Sequence, residues 1–163
     1  MIKFEKVSYE QFEKDAIKLG YERTNLKKIY EETIKLPTRA TAGSAGYDFI
    51  IPFDIFLTSE ETVTVPTGIR CMMPSGVALI LYPRSGIGFK TGTYLANTVG
   101  IIDSDYFYSD NEGHIMLKLV GGFKELHLKA GDKVMQGIFS PYLLTDDDNT
   151  DAIRNGGFGS TGK

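Results

Sequence analysis

The chain has 163 residues, a formal net charge of −3 and a pI near 5.4. That length suits one domain with a substantial core, and the acidic balance argues against broad binding to a nucleic-acid backbone while leaving room for a small anion held by a few cations. Cys71 is the only cysteine, so no internal disulfide is possible; the charged start "MIKFEKVSYEQFEKD" has no apolar signal core, and no stretch is long enough to span a membrane. The expected setting is reducing and cytoplasmic.

Tyr9, Phe12, Ala16 and Leu19 fall at helical spacing. Ser8 and Gln11 fit a capping box and Gly20 a stop, which predicts an amphipathic helix over 8–19. A second helical piece starts near Asn25 and must end by Pro37. This helical extension, residues 1–35, is expected to pack on its own domain rather than on a partner.

From Tyr47 the pattern turns to β. "YDFIIPFDIFL", "TVTV", "HIMLKLV" (Ile115, Leu117 and Leu119 on one face) and "KVMQGIFSPY" read as strands. "GVALILY" is continuously apolar, as for a strand covered on both faces. Pro66-Thr67-Gly68, Pro74-Ser75-Gly76 and Ala130-Gly131-Asp132 supply turns. Many short strands predict a mainly β, jelly-roll domain over 36–145. The acidic "TDDDNTD" then reads as a solvated hinge to a Gly-rich arm, 146–163, although clustered carboxylates also suit a hard cation.

The strands are separated by loops with chemical potential. Asp48 sits beside a glycine turn in "GSAGYDF". Arg84, Ser85 and Gly86 in "YPRSGIGFK" offer a guanidinium fork, a hydroxyl and an open N–H, a set suited to phosphate. Asn97 in "NTVGIIDSDY" can read a base edge. Asp103, after the apolar pair Ile101-Ile102, can orient a water and accept its proton. Gln136 is an amide in an apolar strand and needs partners. His114 and His127 lie in no metal-ligand pattern, which speaks against zinc chemistry. The ending "GGFGSTGK" has the G-x-x-x-x-G-K spacing of a P-loop, but neither a Ser/Thr after Lys163 nor a following helix. A phosphate-wrapping arm with one stacking ring, Phe158, accounts for it better.

In order, "AGYDF", "PRSG", "NTVGIIDSDY", "GDKVMQ" and "GGFGSTG" resemble the motifs of the trimeric dUTPase family, from about Leu36 to the end. The resemblance implies a dUTPase-like β-clip jelly roll, a homotrimer with sites at subunit interfaces, and Mg2+-dependent hydrolysis of dUTP to dUMP and pyrophosphate. That reaction limits uracil in DNA and supplies dUMP for thymidylate synthesis. By the match, Asp103 would activate the water that attacks the α-phosphorus, and Asp48 would bind waters on magnesium. Arg84, Ser85, Gly86 and Gln136 would hold the triphosphate. Asn97 and the backbone from Gly100 to Ile102 would face uracil, and Tyr106 the deoxyribose. Phe158 would stack on the base, with Gly159 beside it in the arm, and Arg154, Ser160 and Thr161 would reach the outer phosphates. No nucleic acid or membrane is implied as a partner. The chain departs from the family pattern in the extra residues 107–112 after Tyr106 and in the short spacing between Arg154 and the glycines. A deaminase relative would need a catalytic glutamate on the central strands, which "HIMLKLV" and "KVMQGIF" lack. A dUTPase-fold regulatory protein that binds nucleotide and a partner protein is the competing class.

Overall fold

A computed structural model describes residues 1–154 and 156. In chain order it contains β1 (Lys3–Lys6), α1 (Tyr9–Lys18), α2 (Leu26–Lys28) running into a π-helical turn (Ile29–Thr33), β2 (Thr38–Arg39), β3 (Tyr47–Ile50), β4 (Ile55–Leu57), β5 (Thr62–Pro66), β6 (Ile69–Met72), β7 (Val77–Pro83), α3 (Ser85–Thr91), β8 (Tyr94–Leu95), β9 (Gly100–Ile102), a 3-10 turn (Ser104–Tyr108), β10 (Met116–Val120), β11 (Leu126–Leu128) and β12 (Lys133–Pro141).

The strands pair antiparallel throughout, in a five-stranded sheet ordered β2-β3-β12-β7-β9, a three-stranded sheet β5-β10-β8, and the ribbons β1-β6 and β11-β4. The mainly β, jelly-roll expectation is met. Alternation explains the core: Ile115, Leu117 and Leu119 are all buried, with Val65 opposite Leu117 in β5. Leu79 and Leu81 of β7 and Phe49 of β3 close the same core. β7 corrects one expectation. Its Leu79 and Leu81 are buried, but on the other face Ile80 is only partly covered and Tyr82 is exposed, so the apolar run is covered on both faces only near its start, at Ala78.

The N-terminal segment packs on this body. Phe12, Ala16 and Leu26 are fully buried. Phe12 stacks on Phe53 with ring centroids 6.1 Å apart. Only half of the expected capping box forms. Ser8 caps α1 by accepting from the Gln11 amide at 3.1 Å, but Gln11 does not reach back; its side chain donates to Asp15 instead. The reciprocal partner is Glu112, 104 residues away, which accepts from the Ser8 amide at 2.8 Å and from its hydroxyl at 2.6 Å. β1 and α3 were not expected from the sequence. β1 is a four-residue ribbon strand, and α3 carries two glycines that obscure its helical character.

Candidate active site

β7 organises the expected site residues because its two ends lead to different groups. Its C-terminal end runs through Pro83 into Arg84, which forms the N-cap of α3, with Ser85 and Gly86 in the first turn. On its flank lies β9, with Leu81 opposite Gly100 and Leu79 opposite Ile102. Asp103 follows Ile102 at the opposite end of that pairing. Four strand positions therefore separate the ladder places, Pro83 and Leu79, that lead to Arg84 and to Asp103, about 13 Å at the usual rise.

The first group surrounds Asp48. It is nearly buried in β3 and lies opposite Gln136 of β12. Arg84 approaches one oxygen at 3.1 Å and Lys133 the other at 2.8 Å. Oδ2 has no hydrogen bond satisfying angular criteria, so the Lys133 contact acts as a charge pair rather than an aligned bond. Gln136 donates weakly to the Pro83 carbonyl at 3.4 Å. Gly46 leaves room for Gln136, since a Cβ there would stand 2.6 Å from its amide oxygen and turn that side chain aside. One carboxylate between two cations leaves the cluster net positive. Beyond it opens a groove of about 670 Å³ lined by Arg84, Lys90, Lys124 and Lys133 and also by Glu125 and Asp132, so the cations outnumber the acids and the groove suits an anion. Lys133 was not nominated from the sequence, although it stands in the quoted segment "GDKVMQ".

The second group surrounds Asp103. A pocket of about 290 Å³ is lined by Asn97, Gly100, Ile102, Asp103, Tyr106 and Arg154, with Leu81, Leu95 and Leu117 among its apolar walls. β9 is the edge of its sheet, so one row of its backbone N–H and C=O groups has no described strand opposite. Such a fixed donor–acceptor row can read a planar heterocycle. The turn before it is tight. Thr98 has φ +66, and Val99 donates to the Asn97 carbonyl at 2.7 Å. Arg154 spans both acids, donating to Asp103 Oδ2 and, at 2.8 Å, to Asp105 Oδ1. Its guanidinium lies 6.0 Å from the Tyr106 ring centre. Tyr106 is buried and its hydroxyl is held by the His114 carbonyl and Asn111. Burial pushes that phenol above its ordinary range, so it stays a neutral donor. Asp105, Asn111 and His114 were missed as participants because their partners lie across a turn rather than at a motif spacing.

Phe158, Gly159, Ser160 and Thr161 lie outside the described residues. Among the described residues no cluster of three or more His, Cys, Asp or Glu is arranged to hold a metal. The acidic run 145–151 is exposed.

Comparison with known proteins decides the family. The dUTPase family model matches residues 32–162. The chain belongs to the dUTPase family. A deoxyuridine 5'-triphosphate nucleotidohydrolase of Lactococcus lactis is 39% identical over 133 residues, covering 79% of this chain and 89% of the relative. One from Desulfitobacterium hafniense is 36% identical over 155 residues, covering 90% and 95%. The crystal structure of dUTPase from Streptococcus mutans superposes with a TM-score of 0.63 at 39% identity, covering 71% of this chain and 91% of that one. Within this dUTPase-family enzyme, the expected residues form two groups, one basic and one around Asp103. Among the described residues no helix is long and apolar enough to cross a membrane.

The magnesium that the family implies can be tested against these donors. Among the described residues Asp48 is the one carboxylate that pairs with both Arg84 and Lys133, and they already balance it. That set does not fit a resident inner-sphere ion, which would want several oxygen ligands. An ion carried in by a triphosphate would meet this group through water only if Lys133 first moved from the buried Oδ2.

Proposed function

We propose that this chain hydrolyses dUTP to dUMP and pyrophosphate in the cytoplasm, with water attacking the α-phosphorus. The observation that carries this is the Asp103 carboxylate at the edge of a pocket whose wall is the free backbone row of Gly100–Ile102. A pyrimidine seated on that row, with Asn97 at its edge, directs its sugar toward Tyr106 and its phosphates toward Asp103. Asp103 orients a water and accepts its proton. Before that, Arg154 must leave Asp103; the incoming phosphates compete for the same guanidinium, so substrate uncovers the base it needs. Arg84, Ser85, Gly86 and Gln136 hold the triphosphate, and Asp48 would meet, through water, a magnesium carried with it. When bound, magnesium supplies neutralisation of phosphate charge. Phe158, Gly159, Ser160 and Thr161 of the arm complete the enclosure over base and phosphates.

A homotrimer is what the family resemblance implies, and about 13 Å of strand between the ladder positions of the two groups is consistent with a nucleotide at one chain's Asp103 meeting the basic group of a neighbouring copy. Light scattering of the purified chain tests this, and a monomer that turns over dUTP would refute it.

The deciding experiment is pyrophosphate release with magnesium from dUTP, dTTP, dCTP and UTP, with Asp103→Asn alongside. Release from dUTP alone, lost in Asp103→Asn, is expected. Nucleotide binding without release would sink the hydrolytic mechanism and leave a binding protein.

A further inference from the structure

The N-terminal segment and the extra residues 107–112 meet each other beside Tyr106. The Tyr106 hydroxyl donates to the His114 carbonyl at 2.8 Å and accepts from Asn111 Nδ2 at 2.8 Å. Asn111 is in turn fixed by Ser109, whose hydroxyl lies 2.7 Å from its Oδ1. Gly113 closes the turn with φ +69, and a Cβ there would stand 2.7 Å from the Tyr106 carbonyl oxygen.

The far side of the same turn is fastened to the N-terminal segment. Glu112 takes both polar groups of Ser8. Although burial raises its carboxyl, the two Ser8 hydrogen bonds outweigh that and hold it below the ordinary glutamate range. His114 is fully buried. The Gly68 amide donates to its Nε2 at 2.8 Å, so the proton sits on Nδ1 and is donated to Asp15 of α1 at 2.7 Å. Arg70, paired with Glu5 of β1, lies over the Phe107 ring at 4.3 Å.

We infer that the 109–114 turn, anchored by α1 through Glu112–Ser8 and His114–Asp15, sets the depth of Tyr106 in the nucleotide pocket, with Asn111 as the positioning residue for discrimination at the sugar. This rests on the proposed nucleotide pocket and deepens it. A tyrosine held at both lone-pair and proton sides cannot withdraw from the pocket wall. A rigid wall there excludes a 2′-hydroxyl sterically, whereas a ring free to tilt admits it. Asn111 is not among the residues lining the Asp103 pocket and acts through the Tyr106 hydroxyl.

The test is calorimetric affinity for dUMP and UMP, which needs no turnover, on the full chain, Asn111→Ala, Tyr106→Phe and the double variant. Loss of one buried hydrogen bond predicts that the preference for dUMP falls about fivefold to tenfold in Asn111→Ala. Tyr106→Phe keeps the ring and its packing and is expected to give a similar fall, with no further loss in the double variant. An unchanged preference in Asn111→Ala, or losses that multiply in the double variant, would overturn the inference. Binding of dUMP without turnover of dUTP would overturn only the proposed reaction; failure to bind dUMP would overturn both.

Discussion

Replacing Asp15 by alanine removes the acceptor of two buried hydrogen bonds, from His114 at 2.7 Å and from Gln11 at 2.8 Å. Hydrogen bonds to a charged group contribute about 1.5–3 kcal/mol each. The Gln11 side chain, itself buried, loses its one side-chain partner. His114 cannot turn to another, because it is fully buried and its Nε2 is committed to Gly68. Its Nδ1–H is left without a partner, and this orphaned neutral donor together with the lost Gln11 bond predicts a loss of about 2–4 kcal/mol. For a chain of this size that lowers Tm by roughly 4–16 °C. Asp15→Asn offers a contrast. Its amide oxygen still accepts from His114, and Gln11 can present its own oxygen to the new NH2, so the loss is about 1 kcal/mol. Urea unfolding at pH 7 and a fixed protein concentration measures both. Equal losses for the two variants would refute the argument, since it turns on the orphaned imidazole N–H and not on charge.

The same carboxylate predicts a pH dependence. Burial alone would raise the Asp15 carboxyl, but the His114 and Gln11 hydrogen bonds outweigh it and hold it below the ordinary aspartate value. The unfolded chain therefore binds the proton more readily, so the contribution is full above that ordinary value and fades as pH falls through the folded one. The acid limb of a stability–pH curve should flatten in Asp15→Asn. Gly46→Ala pushes a methyl to within 2.6 Å of the Gln136 amide oxygen; the side chain can swing, so stability should change by less than about 1 kcal/mol while the KM for dUTP rises severalfold. Gly121→Ala places its Cβ against the Thr58 carbonyl oxygen, which is backbone and cannot swing; a loss above about 3 kcal/mol is expected from the melting curve. Burial pushes the Cys71 thiol up to about 12, so a disulfide reagent at pH 8 should label it only as the chain unfolds.

Much of this was legible in the sequence because it was local. Ser8 before an apolar 3.6-residue period marks the start of α1, and alternation at Ile115, Leu117 and Leu119 marks the buried face of β10 and its approach. Other features were hidden because their causes are distant. Gln11 has the right chemistry for a capping box, yet Glu112 occupies that role and Gln11 is drawn to Asp15. β1 is too short to display a period and exists through its pairing with β6. In the site, Asp103, Asn97 and Arg84 announce themselves by residue type. The pairing of Arg154 with Asp103 does not, since it joins residues 51 positions apart. Lys133 escapes notice because a surface lysine looks the same whether or not it faces a buried aspartate.

The Ser8–Glu112 contact also bears on the order of folding. The start of α1 emerges first from the ribosome, but the group that completes its cap is made 104 residues later. At about 5–20 residues per second that is a wait of roughly 5–20 s. A ten-residue helix is marginal alone, so through that interval the N-terminal segment has neither its cap nor the body it covers. Its docking is then a late event that reports completion of the turn beside Tyr106, and a chain halted before Glu112 should leave its first thirty residues open to protease while the finished chain protects them.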